Sequence, residues 1–324
     1  MTDAIRVEGL EREYRSETGW FRRQQKVVKA VNGLTFSVGR GEIFGLLGPN
    51  GAGKTTTIKM MTTLLLPTAG TVEVLGLDAV RQHEQLRARI GVIFGGERSL
   101  YWRLSARENL QYFADMYRVP RARQRVLIPE LLERAGLAAV ADRRVETFSK
   151  GMKQRLTIVR GLVNDPEVLF LDEPTIGLDP VGAQELRQLV ASLAERGTTI
   201  VLTTHYMAEA ELLCGRIGIV QKGQMVALDT PSALKRLAVG FQVVEAAVQG
   251  VTAREIELVR SLPGAGQLEQ ATLGARLILQ IPTEEPEAIS AGLRSTLGNG
   301  LVDLRVRDAT LEDAYLKLVG GKAS

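Results

Sequence analysis

Gly48-Pro49-Asn50-Gly51-Ala52-Gly53-Lys54-Thr55 lies between a short apolar run at 42–47 and a helical stretch at 54–66. The octet fits G-x-x-x-x-G-K-[ST], and its place between strand and helix is the context that pattern requires. Glycines let successive backbone N–H groups curl around a phosphate, and the helix that begins near Lys54 turns its positive end toward the same point. Lys54 adds a full charge for the β and γ phosphates, and the Thr55 hydroxyl is placed to hold Mg²⁺. Gly48, Asn50, Gly51, Ala52, Gly53, Lys54, Thr55 and Thr56 are the candidate phosphate-binding residues.

A second apolar run, Val168-Leu169-Phe170-Leu171, ends in Asp172-Glu173. A strand that delivers carboxylates at its end complements such a loop. One enters the Mg²⁺ shell, and the other orients or deprotonates an attacking water. Asp172 suits the metal and Glu173 the water.

The 324 residues amount to about two domains, with 45% apolar and 24% charged residues, so a sizeable buried core is available. No run approaches 18 uncharged apolar residues, so no bilayer span is expected. The N-terminus lacks the basic start and apolar stretch of a signal peptide, and a single cysteine, Cys214, forms no internal disulfide. A cytoplasmic protein is expected. With 41 basic against 37 acidic residues, nucleic-acid binding is not implied. Basic clusters at Arg22-Arg23 with Lys26, and at Arg121, Arg123 and Arg125, read as solvated loops and helix faces before lipid-contacting ones.

Period-2 alternation at 5–10 and 27–38 predicts two antiparallel strands with 16–25 as a long connection. The stretch from about 99 to 160 reads as helices broken near Pro120 and Gly136, and 168–171, 199–203 and 217–220 read as strands separated by helices at 181–196 and 207–213. The alternation predicts a largely parallel sheet covered by helices. From about 240 the pattern restarts as strand 241–248, helix 252–261, strands 266–271 and 275–281, helix 284–296, strand 301–306 and a last helix at 311–319. The order β-α-β-β-α-β predicts a small ferredoxin-like α+β domain over 241–324, after a first domain over 1–237.

Phe148-Ser149-Lys150-Gly151-Met152-Lys153-Gln154-Arg155 discriminates among P-loop proteins, because it resembles the signature motif of ATP-binding cassette (ABC) proteins, with Ser149 and Gly151 at its fixed positions. Asp179 in Thr175-Ile176-Gly177-Leu178-Asp179 resembles the D-loop, and His205 in Thr203-Thr204-His205-Tyr206-Met207 the switch histidine. The 204–210 segment, Gly177-Leu178-Asp179-Pro180 and Thr310-Leu311-Glu312-Asp313-Ala314-Tyr315-Leu316 are similar to ABC-2 exporter ATPases, including the daunorubicin-resistance type.

The resemblance implies a P-loop ABC cassette with an antiparallel β edge, a mainly parallel core sheet and a helical subdomain. It implies ATP and Mg²⁺ as cofactors, stacking of Tyr14 on adenine, and catalysis by Glu173, His205 and Lys54. Ser149 and Gly151 would cap the nucleotide of a second copy, or of a paralogous cassette, in a head-to-tail dimer. Membrane-spanning ABC-2 permease subunits would be the partners at the cytoplasmic face of the membrane, with 99–160 as docking surface and a drug, lipid or similar solute as cargo. Two features depart from the family. Gly95-Gly96-Glu97-Arg98 stands where a glutamine that senses the γ-phosphate is usual, so Glu97 or a water would take its place; and the 16–25 loop carries Trp20 and Phe21. The rivals are a soluble ABC ATPase acting on ribosomes or DNA, and a clamp that binds ATP without turnover. The single cassette disfavours the first, and the presence of Glu173 with His205 the second.

Overall fold

The computed structural model describes residues 3–18, 24–94, 100–239, 242–265, 268–274 and 276–320. Two long strands, β1 (Asp3–Thr18) and β2 (Gln24–Gly39), pair antiparallel, and β3 (Ile43–Leu47) then runs into the glycine loop and α1 (Lys54–Met61). Next come β4 (Ala69–Val74), β5 (Leu77–Asp78), α2 (His83–Arg87) and β6 (Ile90–Phe94). Helices α3 (Ala106–Met116), α4 (Arg121–Arg134) and α5 (Lys150–Arg160) occupy the middle. After them β7 (Val168–Asp172), α6 (Pro180–Glu195), β8 (Thr199–Thr204), α7 (Met207–Leu213), β9 (Arg216–Gln221) and β10 (Gln224–Asp229) complete the core.

The strands form a four-stranded sheet in the order β2-β1-β4-β5 and a six-stranded sheet in the order β10-β9-β3-β8-β7-β6. In the second sheet β3 pairs parallel with β8 and β9, and β7 parallel with β6 and β8. Every residue of β7 and β8 is buried, as parallel strands covered on both faces require. Both the antiparallel edge and the parallel core match the expectation.

Several boundaries differ from it. The polar 16–25 stretch is not all connection: pairing continues through Ser16↔Lys26, Glu17↔Gln25 and Thr18↔Gln24. Backbone pairing needs no apolar side chains, and the polar residues of this stretch carry no alternation to read. Tyr14, beyond the alternating 5–10 run, lies within β1, and Trp20 and Phe21 fall outside the described residues, as do Gly95, Glu97 and Arg98. Helix α1 stops at Met61, short of 66, because Thr63 adopts a left-handed conformation (φ 66°) that leaves Leu64 and Leu66 on the surface. The helical breaks fall as expected, with Pro120 as the N-cap of α4 and Gly136 left-handed (φ 64°) beyond its end.

The chain divides into two units, Met1–Leu228 and Asp229–Ser324. The division precedes the expected 237 because α8 (Pro231–Val239) packs against α11 (Leu311–Gly320) in the second unit. Between them run β11 (Gln242–Val248), α9 (Ala253–Arg260), β12 (Glu269–Leu273), β13 (Arg276–Thr283), α10 (Pro286–Leu297) and β14 (Leu301–Asp308). The antiparallel order β12-β13-β11-β14 is the ferredoxin-like arrangement. Alternate residues Val244, Ala246 and Val248 bury against Ile289 and Leu293 of α10. The 310–316 segment starts α11: Asp313 accepts from the Thr310 N–H at 2.7 Å and from Arg307 through both oxygens at 2.7 and 3.0 Å. Burial pushes the Asp313 carboxyl up, but these donors outweigh it and hold it below the usual range.

Cys214 lies against β3, where a Cβ on Gly45 would come within 2.7 Å of its Sγ. Burial, aided by Glu42 and Glu209, pushes the thiol up from 9.0 to about 12. Since the folded state disfavours the thiolate, this contribution to stability is intact at neutral pH and is lost as pH climbs from the unfolded thiol's range toward 12. At pH 8 iodoacetamide should therefore alkylate Cys214 only after denaturation; comparable labelling of native protein would contradict its burial.

Candidate active site

Gly48 and Gly53 are glycines for steric reasons. A Cβ at Gly48 would lie 2.2 Å from the Val220 carbonyl oxygen, and one at Gly53, where φ is 103°, 2.3 Å from that of Ala30. The loop is thus pressed against neighbouring backbone on both sides. Asn50 and Gly51 stand exposed at its crest, and Ala52 is buried beneath. Lys54 opens α1, whose first turn holds no acidic residue to cancel its positive end. Its side chain is only 4% exposed, and Nζ donates to the carbonyls of Gly48 at 2.6 Å and Pro49 at 3.2 Å. Glu173 Oε1 lies 3.4 Å from the same ammonium. A buried cation is tolerated because it is paired and hydrogen-bonded.

Asp172 ends β7. Its Oδ1 and Oδ2 accept from the Thr55 hydroxyl at 3.0 and 2.9 Å, and Oδ1 accepts from the Thr203 hydroxyl at 2.6 Å. Thr55 and Asp172 thus set hydroxyl and carboxylate oxygens side by side, hard donors of the kind Mg²⁺ takes. No group of three or more His, Cys, Asp or Glu among the described residues forms an all-protein metal cage. A site with one carboxylate and a hydroxyl suits an ion that keeps waters and substrate oxygens in its shell.

Consecutive strand residues point to opposite faces, so Asp172 and Glu173 would diverge if β7 simply continued. Instead Glu173 is left-handed, with φ 52°. That conformation costs a non-glycine residue about 1–3 kcal/mol. It redirects the chain so that the Glu173 carboxylate meets Lys54 through Oε1 and His205 through Oε2, 2.6 Å from Nδ1. The Glu173 N–H donates to the carbonyl of Thr203 at 3.1 Å and to its hydroxyl at 3.0 Å. The sequence reading missed Thr203. Its only signal was a hydroxyl in the buried stretch before His205, a feature that Thr199 and Thr204 of the same strand share. Lys54, Thr55, Asp172, Glu173 and His205 meet in one cluster that can bind anions, offer oxygens to a metal and hold a carboxylate ready to accept a proton.

Ser149, Gly151 and Asp179 stand apart from that cluster in their described contacts. Ser149 caps α5, its hydroxyl accepting from Met152 N–H at 3.2 Å, and Asp179 caps α6, accepting from Gly182 N–H at 2.7 Å. A Cβ on Gly151 would sit 3.7 Å from the Gly182 Cα, so the two helices start side by side. Thr56 follows in the first turn of α1. Tyr14 is 42% exposed, with the Arg12 guanidinium 5.0 Å from its ring centroid.

The loop, the parallel core and the carboxylate-bearing strand end define a P-loop nucleotide-binding cassette. The family model for ABC transporters matches residues 31–176. Over 90% of its length the chain is 41% identical to the Nod factor export ATP-binding protein I of Paraburkholderia xenovorans, covering 92% of that protein. Over 98% it is 38% identical to daunorubicin resistance ATP-binding protein DrrA3 of Streptomyces coeruleorubidus, covering 96%. Among solved structures, an ATP-binding cassette described as a post-hydrolysis dimer bound to ADP and Pi superposes with TM-score 0.60 at 25% identity, covering 70% of this chain and 98% of that one. The chain belongs to the ABC transporter family, as an ATP-binding, ATP-hydrolysing cassette subunit.

Lys54→Ala removes a charge-assisted contact of about 1.5–3 kcal/mol. Affinity for Mg-ATP in equilibrium titration should fall at least about tenfold; unchanged affinity would contradict the phosphate-binding role of the loop.

Proposed function

We propose that this chain powers export of a drug, lipid or similar solute through separate membrane-spanning ABC-2 permease subunits, to which it attaches at the cytoplasmic face of the membrane. The relatives are named for drug-resistance and Nod factor export roles, which supports export over a ribosome- or DNA-directed activity. No helix among the described residues is long and apolar enough to cross a membrane, so a transport pathway calls for partner chains.

The observation that carries the mechanism is the convergence of Lys54, Asp172, Glu173 and His205 beneath the glycine loop. In this reading Gly48 to Thr56 bind the phosphates, Tyr14 stacks on adenine, and Thr55 and Asp172 hold Mg²⁺. Bound Mg²⁺ supplies charge neutralisation at the β and γ phosphates. Glu173 aligns the attacking water and accepts its proton, while His205, hydrogen-bonded to Glu173, fixes the carboxylate and reaches the γ-phosphate. Ser149, Gly151 and Asp179 lie at two adjoining helix starts whose N–H groups suit an anion held by another copy. A head-to-tail dimer supplies that copy, a paralogous cassette serving equally, and the dimeric relative supports the arrangement.

Glu173→Gln keeps size and hydrogen-bonding reach but cannot take up a proton. ATP turnover should be abolished while Mg-ATP binding persists, and size exclusion with Mg-ATP should show a stabilised dimer. Near wild-type turnover would remove the role from Glu173 and assign it to His205.

The second unit carries no His or Cys. We assign it an accessory role in assembly and regulation. Removal of residues after Leu228 should leave ATP affinity of the cassette intact and weaken dimerisation or co-purification with the permease. Loss of ATP binding by a still-folded cassette would refute that role.

A further inference from the structure

We propose that Thr203 is a positioning residue that locks Asp172 and Glu173 into their convergent arrangement; the inference rests on the roles given above to those two carboxylates. Thr203 is completely buried in β8 and stands directly opposite Asp172 in the parallel register. A buried hydroxyl in a strand is a liability unless both its functions are used, since valine would fill the same space without desolvating a polar group. Here both are used. The single proton goes to Asp172 Oδ1 at 2.6 Å, and a lone pair receives the Glu173 N–H at 3.0 Å.

The direction of these bonds is fixed. An ionised carboxylate only accepts and a backbone N–H only donates, so the hydroxyl between them has one orientation. The contact to Asp172 is shorter than either contact from Thr55, and it comes from β8 rather than from α1. Asp172 is therefore restrained independently of Thr55, whose hydroxyl must turn toward the metal when Mg²⁺ is bound. The N–H bond falls on the one residue of the pair with a left-handed backbone. Such a conformation persists only where its surroundings over-determine it. One hydroxyl thus couples the metal-side carboxylate to the water-side one.

The test compares Thr203→Val, Thr203→Ser and Thr203→Ala in the full-length chain. By analogy with other partners of metal ligands, Thr203→Val should lower kcat at saturating Mg-ATP about tenfold to hundredfold. A second readout needs no turnover. A fluorescent ATP analogue is titrated in EDTA and in Mg²⁺; Thr203→Val should match wild type in EDTA and lose most of the gain in affinity that Mg²⁺ confers. Thr203→Ser should restore both properties. If the valine variant fails to fold, the serine–alanine pair isolates the same hydroxyl. Wild-type kcat together with a wild-type Mg²⁺ increment in Thr203→Val, or equal impairment of the serine and alanine variants, would overturn the proposal. The Mg²⁺ increment reads through Asp172, so it remains informative even if Glu173→Gln shows that the water-aligning role lies elsewhere.

Discussion

A lysine ammonium that is almost entirely out of water has to be surrounded by oxygen, and the cassette is arranged around that requirement. Lys54 is held by two carbonyls of its own loop and by Glu173 from across the core sheet. The loop carbonyls are available because Gly48 and Gly53 let the chain press against the backbones at Val220 and Ala30. Glu173 is available because β7 lies two strands from β3, with β8 between them. Net favourable energy from such a buried pair is small once desolvation is counted. Its consequence is specificity of arrangement: when a polyanion enters, the ammonium and helix terminus already face it, and little reorganisation remains.

The carboxylate pair illustrates how function tolerates local strain. Two adjacent acidic residues at a strand end would ordinarily flank the sheet on opposite sides. The left-handed Glu173 brings them to the same cluster, and buried partners on β8 hold it there. A further acidic residue, Glu209, ties the turn after β7 to α7 by accepting from the Thr175 hydroxyl at 2.5 Å and from Thr204 at 3.4 Å. The strand end and the His205 segment are therefore coupled by several short polar contacts, a geometry suited to transmitting the state of one to the other.

The second unit obeys simpler rules. Its sheet buries one apolar face beneath α9 and α10, and the Arg307–Asp313 pair joins the last strand to the last helix. The tail segment 310–316, which marks the exporter group by resemblance, is physically a helix start in which Thr310 and Asp313 satisfy each other's backbone groups.

The sequence by itself determined the class of fold and the chemical inventory. The loop pattern, the apolar strand ending in Asp172-Glu173 and the β-α-β-β-α-β order are local signals, each readable from spacing because strand and helix periodicities are local properties. It did not disclose the long β1–β2 ribbon, because paired backbones need no apolar face, nor the placement of α8 with the second unit, because that depends on packing with α11, more than 70 residues away in sequence. Thr203 is the sharpest case. In sequence it is one of several threonines before His205; only the parallel register of β7 and β8 sets its hydroxyl between a carboxylate and the N–H of the next residue. Residue identities specify which groups can bond, and the tertiary structure decides which of them meet, because hydrogen bonds between groups about 30 residues apart are set by strand pairing and not by sequence proximity.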